Sequence, residues 1–260
     1  MKYKIFLFLG LFFMSSVIHS QNSYLNENEN TKILKEILKE IEQLKKGQEK
    51  LSKELATLKA APANQKSAGT KGGKKNVPIG NSMVLGKKDA PITIVEWTDF
   101  QWPYCAKSVS LVDEVLAKYP NDVKVVVKNF PLSFHKQART AAKYALAADR
   151  QGKYKEMFHM IFCGTTESVP QEQCNAWRKL KANEHLPLEY AAELGLDVEK
   201  LKKDALDPYF EELIKKESLE LAQNFERKSV PKFLVAGQEP SKRSLEAWSA
   251  IIDAELKNKK

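Results

Sequence analysis

The stretch that most constrains the fold of this chain runs from Ile92 to Cys105 and reads ITIVEWTDFQWPYC. It opens with closely spaced apolar residues, which is typical of a strand buried on both faces. Pro103 follows, and proline is tolerated at the first position of a helix. Apolar residues then recur at three- and four-residue steps as far as Tyr119, which predicts a helix. Cys105 is therefore expected in the first turn of a helix, where free backbone N–H groups and the helix dipole favour a thiolate.

The elements predicted around this stretch indicate a mixed α/β fold. A short strand near residues 83–85 precedes it, and the β-branched run at 123–130 follows the helix. Strand, helix and strand at this spacing form a right-handed parallel βαβ unit. The pattern is then helical over about 136–226, and a last strand at 232–236 leads into an amphipathic helix.

The segment VEWTDFQWPYC resembles the active-site segment of DsbA-like oxidoreductases, whose usual form is a strand, a short turn and then CPYC or CPHC. The resemblance covers roughly residues 80–260 and implies a thioredoxin-like fold with a helical insertion. The sequence departs from the family at one place, because Trp102 stands where the family carries its first cysteine, the exposed nucleophile. Only the second, resolving cysteine remains, as Cys105. A dithiol–disulfide cycle therefore cannot take place within this motif, since an indole can neither attack a disulfide nor leave from one.

Two residues of the segment are candidates for the remaining chemistry. Cys105 is either a small buried residue, as free cysteines often are, or a slow and specialised monothiol. Glu96 lies six residues before Trp102. At that position the resemblance implies a buried acid that exchanges protons with the second cysteine and has a raised pKa. Pleat alternation puts Glu96 on the face of Ile92 and Ile94, which fits burial, although an acid at the end of a strand can also reach solvent.

Val230 and Pro231 resemble the cis-proline loop of the same family, which faces the active-site helix and pairs with the backbone of a substrate. If that groove persists, Trp102, Pro103 and Tyr104 form an aromatic wall suited to extended polypeptide. The alternative is that these aromatic residues cover the core. The resemblance therefore implies a polypeptide-binding edge beside the altered motif.

Cys163 and Cys174 flank the loop sequence GTTESVPQEQ inside the helical region. In an exported protein, two cysteines that close so short a loop predict a structural disulfide, worth about 3 kcal/mol of loop-closure entropy. A displaced redox-active pair is the alternative. The four histidines have no ligand spacing relative to the cysteines, so no metal site is expected, and no phosphate loop or nucleotide motif indicates a cofactor.

Three segments precede the domain, which is expected to begin at residue 80. Residues 1–20 combine early lysines, an apolar run and a small-residue ending, which predicts a cleaved signal peptide and a periplasmic or otherwise exported protein. Residues 21–60 carry a heptad pattern over 31–58, which predicts a coiled coil and a homo-oligomer. An amphipathic helix packed on its own domain is the alternative. Residues 61–79 are small, polar and basic, and predict a flexible linker.

The formal charge of +9 does not indicate a nucleic-acid partner, because of where the charge lies. Two positive charges belong to the predicted signal peptide, and residues 21–80 carry a net charge of +5. A net charge of about +2 is left for the last 180 residues. A domain so close to neutral lacks the electrostatic footprint of a phosphate binder.

Two functions are compatible with these residues. In the first, the chain belongs to envelope thiol–disulfide metabolism, as the resemblance implies, with protein thiols or disulfides as substrates and Cys105 as a residual thiol. In the second, it is a non-redox, chaperone-like oligomer that holds extended polypeptide in the cis-proline groove and gains avidity from several copies. A surface adhesin is a third class, and it predicts partner binding that does not depend on the groove.

Overall fold

The computed structural model describes residues 31–43, 45–49 and 73–259. The predicted signal peptide, the second half of the predicted coiled coil and most of the predicted linker lie outside the described residues. The first two ranges are helical and are together called α1, and the third range forms the α/β domain. The helix predicted before the domain is therefore confirmed.

Helix α1 presents large apolar side chains to solvent. The following five are between 46% and 63% exposed: Ile33, Leu34, Ile37, Leu38 and Ile41. Three of them occupy a or d positions of the heptad pattern, so the exposed face is the one that the pattern assigns to a partner helix. The coiled coil and the oligomer stay predictions.

The domain is built on a four-stranded sheet in the order β1–β3–β2–β4. Its strands are β1 (Met83–Gly86), β2 (Ile92–Thr98), β3 (Val123–Asn129) and β4 (Lys232–Val235). β2 and β3 are parallel, whereas β1 and β4 lie antiparallel on either side of them. The central pair is buried along almost its whole length, and four of the seven residues in each strand are valine, isoleucine or tryptophan.

Helices flank the sheet and form the insertion between β3 and β4. The helices outside the insertion are α2 (Pro103–Ala106), α3 (Val109–Lys118) and α10 (Leu245–Asn258). The insertion comprises α4 (Ala138–Asp149), α5 (Tyr154–Cys163), α6 (Trp177–Ala182), α7 (Leu186–Glu193), α8 (Val198–Ala205) and α9 (Pro208–Asn224). α3 packs beside α10, and α9 packs on β3. Within the described ranges, no helix has both the length and the apolar content to cross a membrane.

The single helix predicted after Pro103 is wrong in one respect, because the chain breaks it into α2 and α3. Ser108 lies at the break. Its backbone N–H donates to the carbonyl of Cys105 at 3.0 Å, and its hydroxyl donates to the same oxygen at 2.6 Å. A serine that satisfies a backbone carbonyl in this way competes with the regular helical hydrogen bonds. Cys105 therefore lies in a helix of one turn.

The packed part of the domain begins before residue 80. The N–H of Lys75 donates to the carbonyl of Gly237 at 2.7 Å, and the Lys74 ammonium lies 2.5 Å from the Glu255 carboxylate. Val77 is 9% exposed and belongs to the core. The last residues of the predicted linker are thus held on the domain by a hydrogen bond, an ion pair and a buried valine.

The structure joins Cys163 to Cys174, across a sequence separation of 11 residues. Replacing both cysteines with alanine is expected to lower the free energy of unfolding by about 3 kcal/mol, because the bond removes loop entropy from the unfolded chain. Urea denaturation of the full chain measures this loss. Wild-type protein in reductant is the matched control and should lose a similar amount. A loss near zero in both samples would contradict the structural role.

Candidate functional site

The motif WPYC lies where the carboxyl end of β2 turns into α2. Trp102 is the N-cap residue of α2 with an extended backbone, and Pro103 is the first helical residue. The N–H of Cys105 donates to the carbonyl of Trp102 at 3.0 Å, which closes the single turn. Cys105 is fully buried, whereas Tyr104 is 53% exposed and Trp102 is half-buried. The turn therefore presents its aromatic residues at the surface and its sulfur in the interior.

The thiol of Cys105 lies in surroundings that oppose ionisation. Burial raises its pKa well above the ordinary value, and the nearby carboxyl groups of Glu96 and Asp99 raise it further. The N–H of Asp99 donates to the sulfur at 3.4 Å and opposes this rise only in part. Complete desolvation of the sulfur therefore outweighs the preference for a thiolate at a helix N-terminus, and α2 has only four residues.

Glu96 shares the buried space beneath α2 with Cys105. Its side chain is fully buried, and its Oε1 accepts a hydrogen bond from the Ser108 hydroxyl at 3.2 Å. Its Oε2 has no hydrogen-bond partner among the described residues. Burial raises the pKa of Glu96 from 4.5 to about 8, although the hydrogen bond from Ser108 opposes this rise. Of the two alternatives left by the sequence, the structure has the buried acid, and at neutral pH that acid is largely protonated.

Asp99 is a site residue that sequence reasoning missed. It is 1% exposed and follows β2 directly. Its Oδ1 accepts the N–H of Gln101 at 2.7 Å, and its Oδ2 accepts the N–H of Leu132 at 2.7 Å and lies 2.9 Å from Nδ1 of His135. The Gln101 side chain in turn accepts the N–H of Gln137 at 2.9 Å. We call this set the Asp99 clamp, and it ties the β2–α2 turn to the loop between β3 and α4.

A signal for the clamp was present in the sequence. Asp99 comes at the carboxyl end of β2, and His135 follows the carboxyl end of β3 by a few residues. Because β2 and β3 are adjacent parallel strands, their carboxyl ends lie at the same edge of the sheet. Polar residues just beyond two such strands are expected to meet, even though Asp99 and His135 are 36 residues apart.

Four aromatic rings form a continuous surface above the clamp, which we call the aromatic edge: Trp102, Tyr104, Phe134 and His135. The Trp102 ring lies 5.2 Å from that of Tyr104 and 5.4 Å from that of His135, and Phe134 meets His135 edge-on at 4.6 Å. Phe134 is 67% exposed. The predicted wall of Trp102, Pro103 and Tyr104 is thus extended by two rings from a separate loop.

The peptide bond between Val230 and Pro231 is cis. β4 begins at the next residue, Lys232, which pairs with Trp97 near the carboxyl end of β2. The cis-proline therefore lies at the same edge of the sheet as the β2–α2 turn. The structure brings together the motif, the buried acid and the cis-proline that the sequence singled out.

Cys163 and Cys174 bond to each other, so Cys105 is the free cysteine of the three in the chain. Among the residues that the structure describes, no group of three His, Cys, Asp or Glu side chains is arranged to hold a metal ion. The site has exposed aromatic rings at its surface. Its one sulfur is a buried thiol beside a protonated acid.

Comparisons with known proteins agree with this architecture. A family model described as Thioredoxin matches residues 78–254. The chain is similar to a thioredoxin-like oxidoreductase from Silicibacter pomeroyi DSS-3, with 28% identity and a TM-score of 0.55 over 68% of this chain and 94% of that one. It also resembles alpha-DsbA1 from Wolbachia pipientis, with 16% identity and a TM-score of 0.53 over 70% of this chain and 94% of that one, a likeness of fold alone. The predicted thioredoxin-like fold is confirmed.

A curated relative shares part of the sequence. A protein named Na(+)/H(+) antiporter NhaA 1, from Mycolicibacterium gilvum, is 34% identical over 122 residues, which are 46% of this chain and 18% of the relative. The chain spans about a fifth of the length of the first curated relatives that it matches.

Proposed function

Because the chain belongs to the Thioredoxin family and its motif resembles that of DsbA-like oxidoreductases, we propose that it is an exported protein of envelope thiol–disulfide metabolism that binds polypeptide without a dithiol cycle at its own motif. One observation carries this proposal. An indole, that of Trp102, stands half-buried at the first position of the motif, and the remaining thiol, that of Cys105, is fully buried with a raised pKa. Thiol–disulfide exchange needs an accessible thiolate, and this motif presents none.

The aromatic edge and the cis-proline support polypeptide as the ligand. Val230 and Pro231 lie beside β4, whose backbone belongs to the outer strand of the sheet. Extended peptides bind such edges through main-chain hydrogen bonds, while pockets or rings beside the edge contact their side chains. Tyr104 and Phe134 are large, exposed and rigid, which makes them suitable anchors for apolar side chains.

Export is supported by features from different parts of the chain. The first 20 residues have the pattern of a signal peptide. The disulfide between Cys163 and Cys174 is of a kind that persists in oxidising compartments. The DsbA-like character of the domain is consistent with the same location.

The exposed apolar face of α1 supports a homo-oligomer through residues 31–58. Leu34, Ile37 and Ile41 occupy the positions that meet a partner helix in a coiled coil. Several copies on one stalk present several aromatic edges, and linked sites bind one long polypeptide more tightly than a single site does.

Replacing both Tyr104 and Phe134 with alanine is expected to weaken polypeptide binding about tenfold or more, because aromatic anchors carry much of the energy of such contacts. Fluorescence anisotropy with a labelled, reduced and alkylated polypeptide measures the affinity. Tyr209→Ala is the matched control, since Tyr209 is 44% exposed on α9. Equal losses in the control and the double variant would contradict the assignment of the edge, and absence of binding by the wild type would overturn the proposed function.

A further inference from the structure

A recess lies beside the aromatic edge, between α3, the loop closed by the disulfide and the start of α10. Its volume is about 840 Å³, which is within the range of ligand sites. Each wall contributes an apolar side chain, namely Leu111, Val169 and Leu245. Tyr104 belongs both to this lining and to the aromatic edge, so the two surfaces are continuous. We call this recess the acidic groove.

Carboxylates outnumber cations in the lining of the groove. The negatively charged lining residues are Asp113, Glu114, Glu172 and Glu246, and the positively charged ones are Lys107 and Arg243. The groove therefore carries a formal charge of −2, whereas the last 180 residues of the chain carry about +2. A recess whose sign is opposite to that of its surroundings attracts ligands of positive charge.

Asp113 is a buried carboxylate in the lining of the groove, and it adds to the attraction of cations. It is 8% exposed, and its Oδ1 lies 3.2 Å from Nε2 of His159. Its Oδ2 has no hydrogen-bond partner in the part of the chain that the structure describes. A buried carboxylate oxygen without a hydrogen-bond partner is stabilised by a cation nearby.

The exposed carboxylates stand on opposite walls. Glu114 lies on α3 and accepts a hydrogen bond from Ser110 at 3.1 Å, and Glu172 lies on the disulfide-closed loop and accepts one from Gln171 at 3.1 Å. Each retains free acceptor positions, since a carboxylate accepts up to about four hydrogen bonds. The disulfide fixes the ends of the loop that carries Glu172, so the distance between the two walls is restricted by a covalent bond.

We propose that the acidic groove selects polypeptide segments that carry lysine or arginine. The apolar part of such a segment packs on Leu111 and Leu245, and its cationic end lies between Glu114 and Glu172 above Asp113. This inference rests on the proposed function and names the class of polypeptide that the site holds. In the bound polypeptide, one segment would lie on the aromatic edge. A basic residue a few positions away from that segment would then occupy the groove.

The test uses the full chain and two labelled peptides of equal length and apolar content, one with lysines and the other with glutamines at the same positions. We expect the lysine peptide to bind about tenfold more tightly, which corresponds to a small number of partly exposed ion pairs. Glu114→Gln combined with Glu172→Gln should remove most of that difference and leave the glutamine peptide unaffected. Added salt should reduce the difference as well.

The matched control is Glu212→Gln, an exposed glutamate on α9 that pairs with Lys215. It should bind both peptides as the wild type does. Equal affinity of the wild type for the two peptides would overturn this inference and leave the proposed function in place. Absence of binding for both peptides would overturn the inference and the proposed function together.

Discussion

Trp102→Cys is expected to give the protein a disulfide-reducing activity that the wild type lacks, on the order of a hundredfold above the wild-type rate, because an activated nucleophile replaces an inert side chain. The new sulfur would stand at the N-cap of α2, three residues before Cys105. Side chains three apart on a helix lie about 5–6 Å from each other, which is close enough for a disulfide. Unlike Cys105, the new residue would be partly exposed, as Trp102 is.

The expected cycle balances with a dithiol reductant. The thiolate at position 102 attacks one sulfur of the substrate disulfide and releases the other as a thiolate, which takes up a proton. The thiol of Cys105 then loses its proton and attacks the mixed disulfide, which releases the second substrate sulfur and leaves the protein oxidised. The added dithiol reduces the protein and is itself oxidised.

Insulin reduction in excess dithiol, followed by turbidity, measures this activity. Trp102→Ser is the first control, because it opens the same space without a sulfur, and Trp102→Cys combined with Cys105→Ser is the second, because it lacks the resolving thiol. Trp102→Ser should not turn over. The second control should be slower than Trp102→Cys, because only the added dithiol can then resolve its mixed disulfide. Turnover by the wild type at the rate of Trp102→Cys would refute the proposal that the motif is closed to dithiol chemistry.

Glu96→Gln is expected to remove a large pH dependence of stability. Burial raises the pKa of Glu96 in the folded protein from 4.5 to about 8. Between these values the folded protein binds a proton that the unfolded chain releases, so folding takes up a proton and stability falls as the pH rises. The shift corresponds to a loss of about 5 kcal/mol between pH 4.5 and pH 8.

Urea denaturation from pH 4.5 to pH 8.5 tests this expectation. Asp99 and Glu217 also have raised pKa values because of burial, and they lower stability with rising pH in both proteins. The difference between wild type and Glu96→Gln therefore isolates Glu96. Glu114→Gln is the control, since this exposed carboxyl group should leave the wild-type profile unchanged. Parallel profiles for wild type and Glu96→Gln would show that Glu96 does not carry the raised pKa.

The sequence predicted the features that depend on local pattern. The position of β2 follows from its apolar content. Burial of Glu96 was one of two alternatives that alternation left open, and the cis bond before Pro231 was implied by the resemblance. The parallel βαβ unit was predicted, but the Asp99 clamp was missed because its carboxylate and its imidazole lie 36 residues apart, in loops that no single sequence pattern links. The break at Ser108 was missed because one hydroxyl there satisfies a carbonyl that the apolar periodicity assigned to a continuous helix.

The acidic groove was missed for a different reason. Asp113 lies on the first helix of the βαβ unit, Glu172 lies in the disulfide loop, and Glu246 opens the last helix. In the sequence each of these residues reads as an ordinary charge on a solvated surface. Only the packing of α3 beside α10 and the position of the closed loop place them around one recess.

The Asp99 clamp has a consequence for the energetics of recognition. It holds the β3–α4 loop by the N–H of Leu132 on one side of Phe134 and, through Gln101, by the N–H of Gln137 on the other. The rings of Trp102 and Phe134, which come from distant parts of the chain, are thereby kept in one arrangement before any ligand arrives. A polypeptide that binds to these rings loses conformational entropy, but the rings themselves lose little, because they are already ordered. A larger part of the contact energy therefore appears as affinity.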